Sequence, residues 1–179
     1  MPQARFLLDI LGHSLNEDEL RNGLRIEVGW SVVTLRQVDV DLFELYEPDF
    51  YSDPFTQLRA DVTTTLAVIA RQSDFMREVS APAVPVRFDQ KIIASSGSLA
   101  LEHVYLERSD PATNDSGWYI GPVDEKGEEL EGLYVYQLLE SRPEFLPVLL
   151  LPPRYLVTFS GSDVESVVDE NNREIWQER

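Results

Sequence analysis

The sequence predicts an α+β protein, mostly antiparallel sheet with a few flanking helices, in two subdomains. Three observations carry this. Several stretches alternate apolar and polar residues with a period of two, as half-buried strands do. One long segment, residues 62–79, places apolar residues at helical spacing instead. A proline-rich run, Ala81-Pro82-Ala83-Val84-Pro85, separates the halves and cannot continue a helix. The expected organisation is an N-terminal α+β domain at residues 1–82 and a second domain at 86–179.

In chain order, Ser14 followed by Glu17 fits a capping box, which starts a short helix over residues 17–25. From residue 24 to 45 the pattern is extended. Val28, Trp30, Val32 and Thr34 alternate with their neighbours, then Val38, Val40 and Leu42 do the same. This reads as a hairpin turning near Arg36 and Gln37. Residues 47–54 hold two prolines and the aromatics Phe50 and Tyr51, with Phe55 just beyond, and read as a loop. Asp61 is placed to cap the helix at 62–79, whose face would comprise Val62, Leu66, Ile69, Ser73 and Met76.

The second half opens with an expected strand at 86–94, a turn at Ser95-Ser96-Gly97, and a strand at 101–107 pairing with the first. Residues 109–117 form a loop rich in Asp, Asn, Pro and Gly. Trp118 to Ile120 start a third strand that Gly121-Pro122 stops. An acidic turn at 124–132 leads to a helix at 133–140 with Leu138 and Leu139 inward. Pro143 and Pro147 bracket another short piece. Residues 155–160 alternate as a strand with Tyr155, Val157 and Phe159 on one face. The tail adds a strand pair through Val167, Val168, Ile175 and Trp176, turning at Asn171-Asn172.

Charge is the strongest compositional signal. The 179 residues carry 32 acidic and 15 basic side chains, for a net charge of −17. The surplus is spread along the chain, with 14 acids against 7 bases in residues 1–85 and 18 against 8 in 86–179. Binding to nucleic acid is disfavoured, because phosphate backbones demand a basic footprint. A basic protein partner is favoured, since a net field steers association; solubility alone is the plainer explanation. Cysteine is absent, so disulfides and thiolate metal sites are excluded. No apolar run reaches the ~18–20 residues of a membrane span. No basic cluster precedes the apolar residues at the N-terminus and Asp9 interrupts them, which reads against a secretory signal and for a cytoplasmic address.

Catalytic signatures are lacking. His13 and His103 have no second ligand at metal-binding spacing, and no phosphate-binding or nucleophile-elbow motif occurs. Asp39 and Asp41, with Glu44 and Glu47 beyond, do not match a calcium loop and read as a solvated strand face. The chain calls for no cofactor and no metal.

The most distinctive segment is Asn114-Asp115-Ser116-Gly117-Trp118. A turn of this composition plants its tryptophan in the core, the usual fate of a large aromatic. Alternatively it forms a ridge where loop carboxylates and an aromatic face a partner. On the second reading the binding residues are Asp110, Asp115 and Trp118, joined by the acidic turn Asp124, Glu125, Glu128, Glu129 and Glu131 in one concentrated negative surface. The aromatic loop at 46–55 is a further candidate.

These residues lie within an ordered series that resembles the immunity protein 33 family, also called domain of unknown function 2185. The series runs from Lys91-Ile92-Ile93-Ala94-Ser95 through Val104-Tyr105-Leu106-Glu107-Arg108, Asp110-Pro111 and the Asp-Ser-Gly-Trp turn. It continues through the acidic turn, Gly132-Leu133-Tyr134, the prolines 143, 147 and 152, and Phe159, as far as Trp176. The chain departs from the family pattern in carrying Arg154 and Tyr155 after its last proline, and in a shorter acidic turn. The resemblance implies a non-enzymatic bacterial immunity protein that binds and neutralises a cognate, basic toxin. It supplies no catalytic residues to carry over and does not reach residues 1–85. Two alternatives are a regulatory or adaptor module and a carboxylate-dependent enzyme.

Overall fold

Gly29, at φ 59°, turns the chain between strands β1 (Arg25–Val28) and β2 (Ser31–Asp39). Val28 pairs with Ser31, so Gly29 and Trp30 form a two-residue hairpin loop with glycine first, a position that requires positive φ. A computed structural model of the chain describes residues 20–40, 42–124 and 129–176. It divides into two compact units, Met1–Ala70 and Arg71–Arg179, and the fold is α+β.

The first unit holds an antiparallel sheet in the order β1-β2-β3-β4, with β3 at Leu42–Pro48 and β4 at Leu58–Arg59. The first turn of this sheet is therefore at Gly29, and β2 continues through Arg36 and Gln37, where the alternation alone places the turn. The apolar alternation at Val38, Val40 and Leu42 faces solvent: all three are exposed, Val40 at 78%. The capping box at Ser14 and Glu17 lies outside the described residues. The expected helix does not extend to residue 25, because Gly23 adopts φ 83° and Arg25 already pairs with Thr34.

Helix α1 (Thr63–Val79) starts where its cap predicts. One Asp61 oxygen accepts the amides of Val62 (2.7 Å) and Thr63 (2.9 Å) and the Thr63 hydroxyl (2.6 Å). The buried stripe differs from the expected one. Thr65, Val68, Gln72, Phe75, Met76 and Val79 are buried, whereas Ser73 is exposed and Val62, Leu66 and Ile69 are half-buried against Val28 and Val33. The stripe is hard to see in the sequence because two members are polar. Thr65 donates to the Ser31 hydroxyl (3.0 Å) and Gln72 to the Leu146 carbonyl (3.2 Å), so neither is buried unsatisfied.

The second unit is built on a six-stranded sheet in the order β10-β9-β6-β7-β5-β8. Its strands are β5 (Lys91–Ser95), β6 (His103–Arg108), β7 (Asp115–Pro122), β8 (Leu130–Tyr134), β9 (Leu156–Ser160) and β10 (Asp163–Val168). The strand expected from residue 86 begins only at Lys91, after a turn closed by the Gln90 amide on the Arg87 carbonyl. β5 does not pair with β6. It lies between β7, which it meets in parallel, and β8. Ile92 and Ala94 are fully buried there, which suits an interior strand better than an edge.

The expected helix at 133–140 is shortened to α2 (Leu138–Ser141). Leu133 and Tyr134 belong to β8, and the amides of Val135 and Tyr136 donate to Gln90 and Phe88 rather than along a helix. Leu138 is buried and Leu139 half-buried. A 3-10 segment, Pro143–Leu150, supplies Phe145, Leu146, Val148 and Leu149 to the core. Tyr155, Val157 and Phe159 share the buried face as expected. The tail turns at Asn171-Asn172 and returns as a single bridge, Val168 to Glu174. Segment 81–85 lies inside the second unit, where the Val84 amide donates to Leu150 (2.8 Å).

Candidate protein-binding site

The β6–β7 connection, residues 109–114, folds back tightly over Gly117. Ser109 donates its amide to the Gly117 carbonyl (2.8 Å). Gly117 sits at φ 79°, and a Cβ there would overlap the Ser109 carbonyl oxygen. Only glycine meets both demands. Asp115 Oδ1 accepts the Gly117 amide (2.7 Å), and the Ser116 hydroxyl donates to the Lys91 carbonyl (2.7 Å), pinning the turn to β5.

Below the turn lies Arg108, which is 2% exposed. Its guanidinium donates to the carbonyls of Ser116 (3.0 Å), Val84 (3.0 Å), Leu149 (3.3 Å), Leu151 (2.6 Å) and Pro85 (3.5 Å). Burial lowers its pKa to about 10, so it stays charged at neutral pH. Trp118 packs 5.8 Å from this cation and donates its indole N–H to Leu149 (3.0 Å). At 1% exposure Trp118 is core. The ridge reading therefore does not apply to its ring: β7 alternation turns Ser116, Trp118 and Ile120 inward.

The opposite parity of β7 faces outward. Tyr119 stands beside Ile93 across the parallel pair and 5.7 Å from Tyr105. Burial and the neighbouring Tyr119 push the Tyr105 hydroxyl above its ordinary pKa. At the turn, Ile93, Ser109, Ala112, Gly117, Trp118 and Tyr119 line an open recess of about 290 Å³ that Asp110 and Asp115 also line. Asp110 is exposed and lies 3.9 Å from the Arg154 guanidinium.

The other acidic candidates among the described residues are not gathered there. Asp124 follows the far end of β7, and the Glu129 carbonyl accepts the Ser96 amide at that same end. Glu131 is level with Ala94 on β8. An eight-residue strand separates Asp115 from Pro122, roughly 20–25 Å. The described carboxylates form two groups rather than one concentrated surface. Glu125 and Glu128 lie outside the described residues, as does His13. His103 is exposed. In the aromatic loop, Phe50 is buried and stacks on Trp30 at 4.8 Å, whereas Tyr51 and Phe55 are exposed.

Among the described residues, no group of three or more His, Cys, Asp or Glu side chains could hold a metal ion. No helix among them is long and apolar enough to cross a membrane. Ile93 and Tyr119 were not recognisable from sequence as members of the recess. Their period-two positions mark an outward face, but the strand order that makes them neighbours is not encoded locally.

The second unit is thus an α+β domain built on a mixed sheet, with a braced turn and an acid-lined recess at one end. The family model of the Imm33-like domain matches residues 71–170, and the chain belongs to this family. The match begins at Arg71, where the second unit also begins, and so takes in the second half of α1 beyond the resemblance read from residue 91. No curated protein and no solved structure matches the chain.

Proposed function

We propose that the protein is a bacterial immunity protein that binds a cognate basic toxin and neutralises it without bond-making chemistry of its own. Membership of the Imm33-like family carries the reading. The net charge of −17 agrees with it in sign, since charge complementarity accelerates encounter and suppresses wrong partners. The contacts would come from Asp110 and Asp115 at the turn, from Asp124, Glu129 and Glu131 towards the other end of β7, and from Glu125 and Glu128. With Trp118 in the core, its contribution is to hold the turn.

Co-expression with the toxin encoded at the neighbouring locus tests this. The expected result is rescue of growth, co-purification of the two chains, and association that slows as salt is raised. Absence of both rescue and complex would reject it.

A second reading, an adaptor module, is favoured by the exposed hairpin residues Val38, Val40 and Leu42 in the first unit. If Val40→Asp abolished toxin binding or a separate partner's capture while leaving the fold intact, that reading would gain at the expense of the acidic one.

A further inference from the structure

The recess at the turn has a definite chemistry. Ile93, Tyr119, Gly117 and Trp118 line it together with two acidic residues, Asp110 and Asp115. At about 290 Å³ it falls just below the ~300–1,000 Å³ range of small-molecule pockets. That is room for one long side chain rather than for a whole metabolite. We propose that this recess receives a single arginine side chain of the partner protein, its methylene stem against Ile93 and Tyr119 and its guanidinium between Asp110 and Asp115. The proposal rests on the toxin-binding reading and names the anchor within it.

Three features favour arginine. A guanidinium is planar, matches carboxylates and stacks on aromatic rings, and it sheds water more readily than an ammonium. Asp115 is preorganised, because Oδ1 is already fixed by the Gly117 amide (2.7 Å). Asp110 already draws a guanidinium of this chain: Arg154 lies 3.9 Å away, with both side chains at least 75% exposed. So loose a surface pair is readily exchanged for an incoming arginine. The turn itself is held by the buried Arg108 and by glycine at 117, so the recess is formed before the partner arrives.

The full-length chain is titrated with ethylguanidinium, followed by amide NMR, with butylammonium as the comparison cation. The test variant is the double substitution Asp110→Asn, Asp115→Asn. The carboxamide that replaces the Asp115 carboxylate retains an oxygen for the Gly117 amide, and an unchanged melting temperature confirms that the turn survives. The expected result is saturable shifts at Ile93, Gly117 and Tyr119 that weaken about fivefold or more in the double variant and exceed those from butylammonium. No saturable shift, equal shifts in the double variant, or a stronger response to butylammonium overturns the arginine assignment. Concentration-dependent shifts of the same amides without added cation would assign the recess to a second copy of the chain and overturn it as well.

Toxin protection separates this proposal from the reading beneath it. A double variant that protects as well as the wild type removes the recess and leaves immunity standing. Ethylguanidinium docking in a chain that neither binds nor neutralises the toxin removes immunity and leaves the recess.

Discussion

Glu47 in the first unit and Arg108 in the second are both enclosed, at 1% and 2% exposure, and both are satisfied by backbone groups. Glu47 closes β3 and accepts the amides of Thr64 (3.2 Å) and Thr65 (2.7 Å) at the start of α1. Arg108 ends β6 and donates to carbonyls of segments 84–85 and 149–151 and of the turn at Ser116. Each charge sits where the chain has a surplus of the complementary backbone group. A helix start leaves amides without partners. The loops around Arg108 converge their carbonyls on one point that a forked donor can reach. The difference is one of reach: Glu47 fixes one joint, whereas Arg108 fixes three segments at once.

The largest test of this contrast is Arg108→Leu. It would leave several buried carbonyls unpaired, and about 3 kcal/mol or more should be lost in urea denaturation. Lysine at this position, with a single ammonium in place of the fork, should recover only part of that loss. Gly117→Ala acts on the turn that Arg108 braces. Strain at positive φ and the overlap with Ser109 should cost about 2–3 kcal/mol, and the amides of the recess should shift as the turn opens.

Glu47→Ala removes a joint rather than a hub, and two buried helix amides lose their acceptor. About 2 kcal/mol is expected, seen as faster amide exchange in the first turn of α1. Asp61→Ala removes the neighbouring cap on the solvent side and should cost about 1 kcal/mol. A loss at Asp61 exceeding that at Glu47 would reverse the assignment of which carboxylate anchors the helix.

Asp169 sharpens the comparison on the pH axis. Its carboxylate accepts the amides of Arg173 (3.0 Å) and Asn171 (2.8 Å) and the Arg173 guanidinium (2.8 Å). These hydrogen bonds, led by the Arg173 amide, lower its pKa to about 2. A lowered carboxyl pKa stabilises the fold above the ordinary carboxylate value, and that contribution is lost as pH falls through about 2. Asp169→Asn should flatten the acid limb of the stability curve between those limits, with its largest loss of stability at neutral pH and little difference from the wild type below about pH 2.

Much of this architecture is legible in local pattern. Asp61 and the helix behind it, the alternating Tyr155, Val157 and Phe159, and the turn residues around Asp115 and Gly117 each express a short-range preference that the fold respects. Other patterns mislead for physical reasons. The alternation at Val38, Val40 and Leu42 identifies a strand without telling which face is wet. The buried stripe of α1 includes Thr65 and Gln72, whose burial depends on hydrogen bonds to Ser31 and Leu146, far away in sequence. For the site, the two carboxylates of the recess are recognisable, but Asp124, Glu129 and Glu131, expected beside them, lie towards the opposite end of β7.

By itself, then, the sequence determined the α+β class, the positions of most strands, the capped helix, the tight Asp-Ser-Gly-Trp turn and a strongly acidic character. These follow from preferences acting over a few residues or summed over the whole chain. Tertiary structure alone decided that β7 separates β5 from β6, that Trp118 is core, that Arg108 is enclosed among carbonyls, and that Ile93 and Tyr119 share a recess with Asp110 and Asp115. Those outcomes depend on which distant segments meet, because burying apolar faces and satisfying every enclosed polar group are conditions on the whole assembly of strands rather than on any one of them.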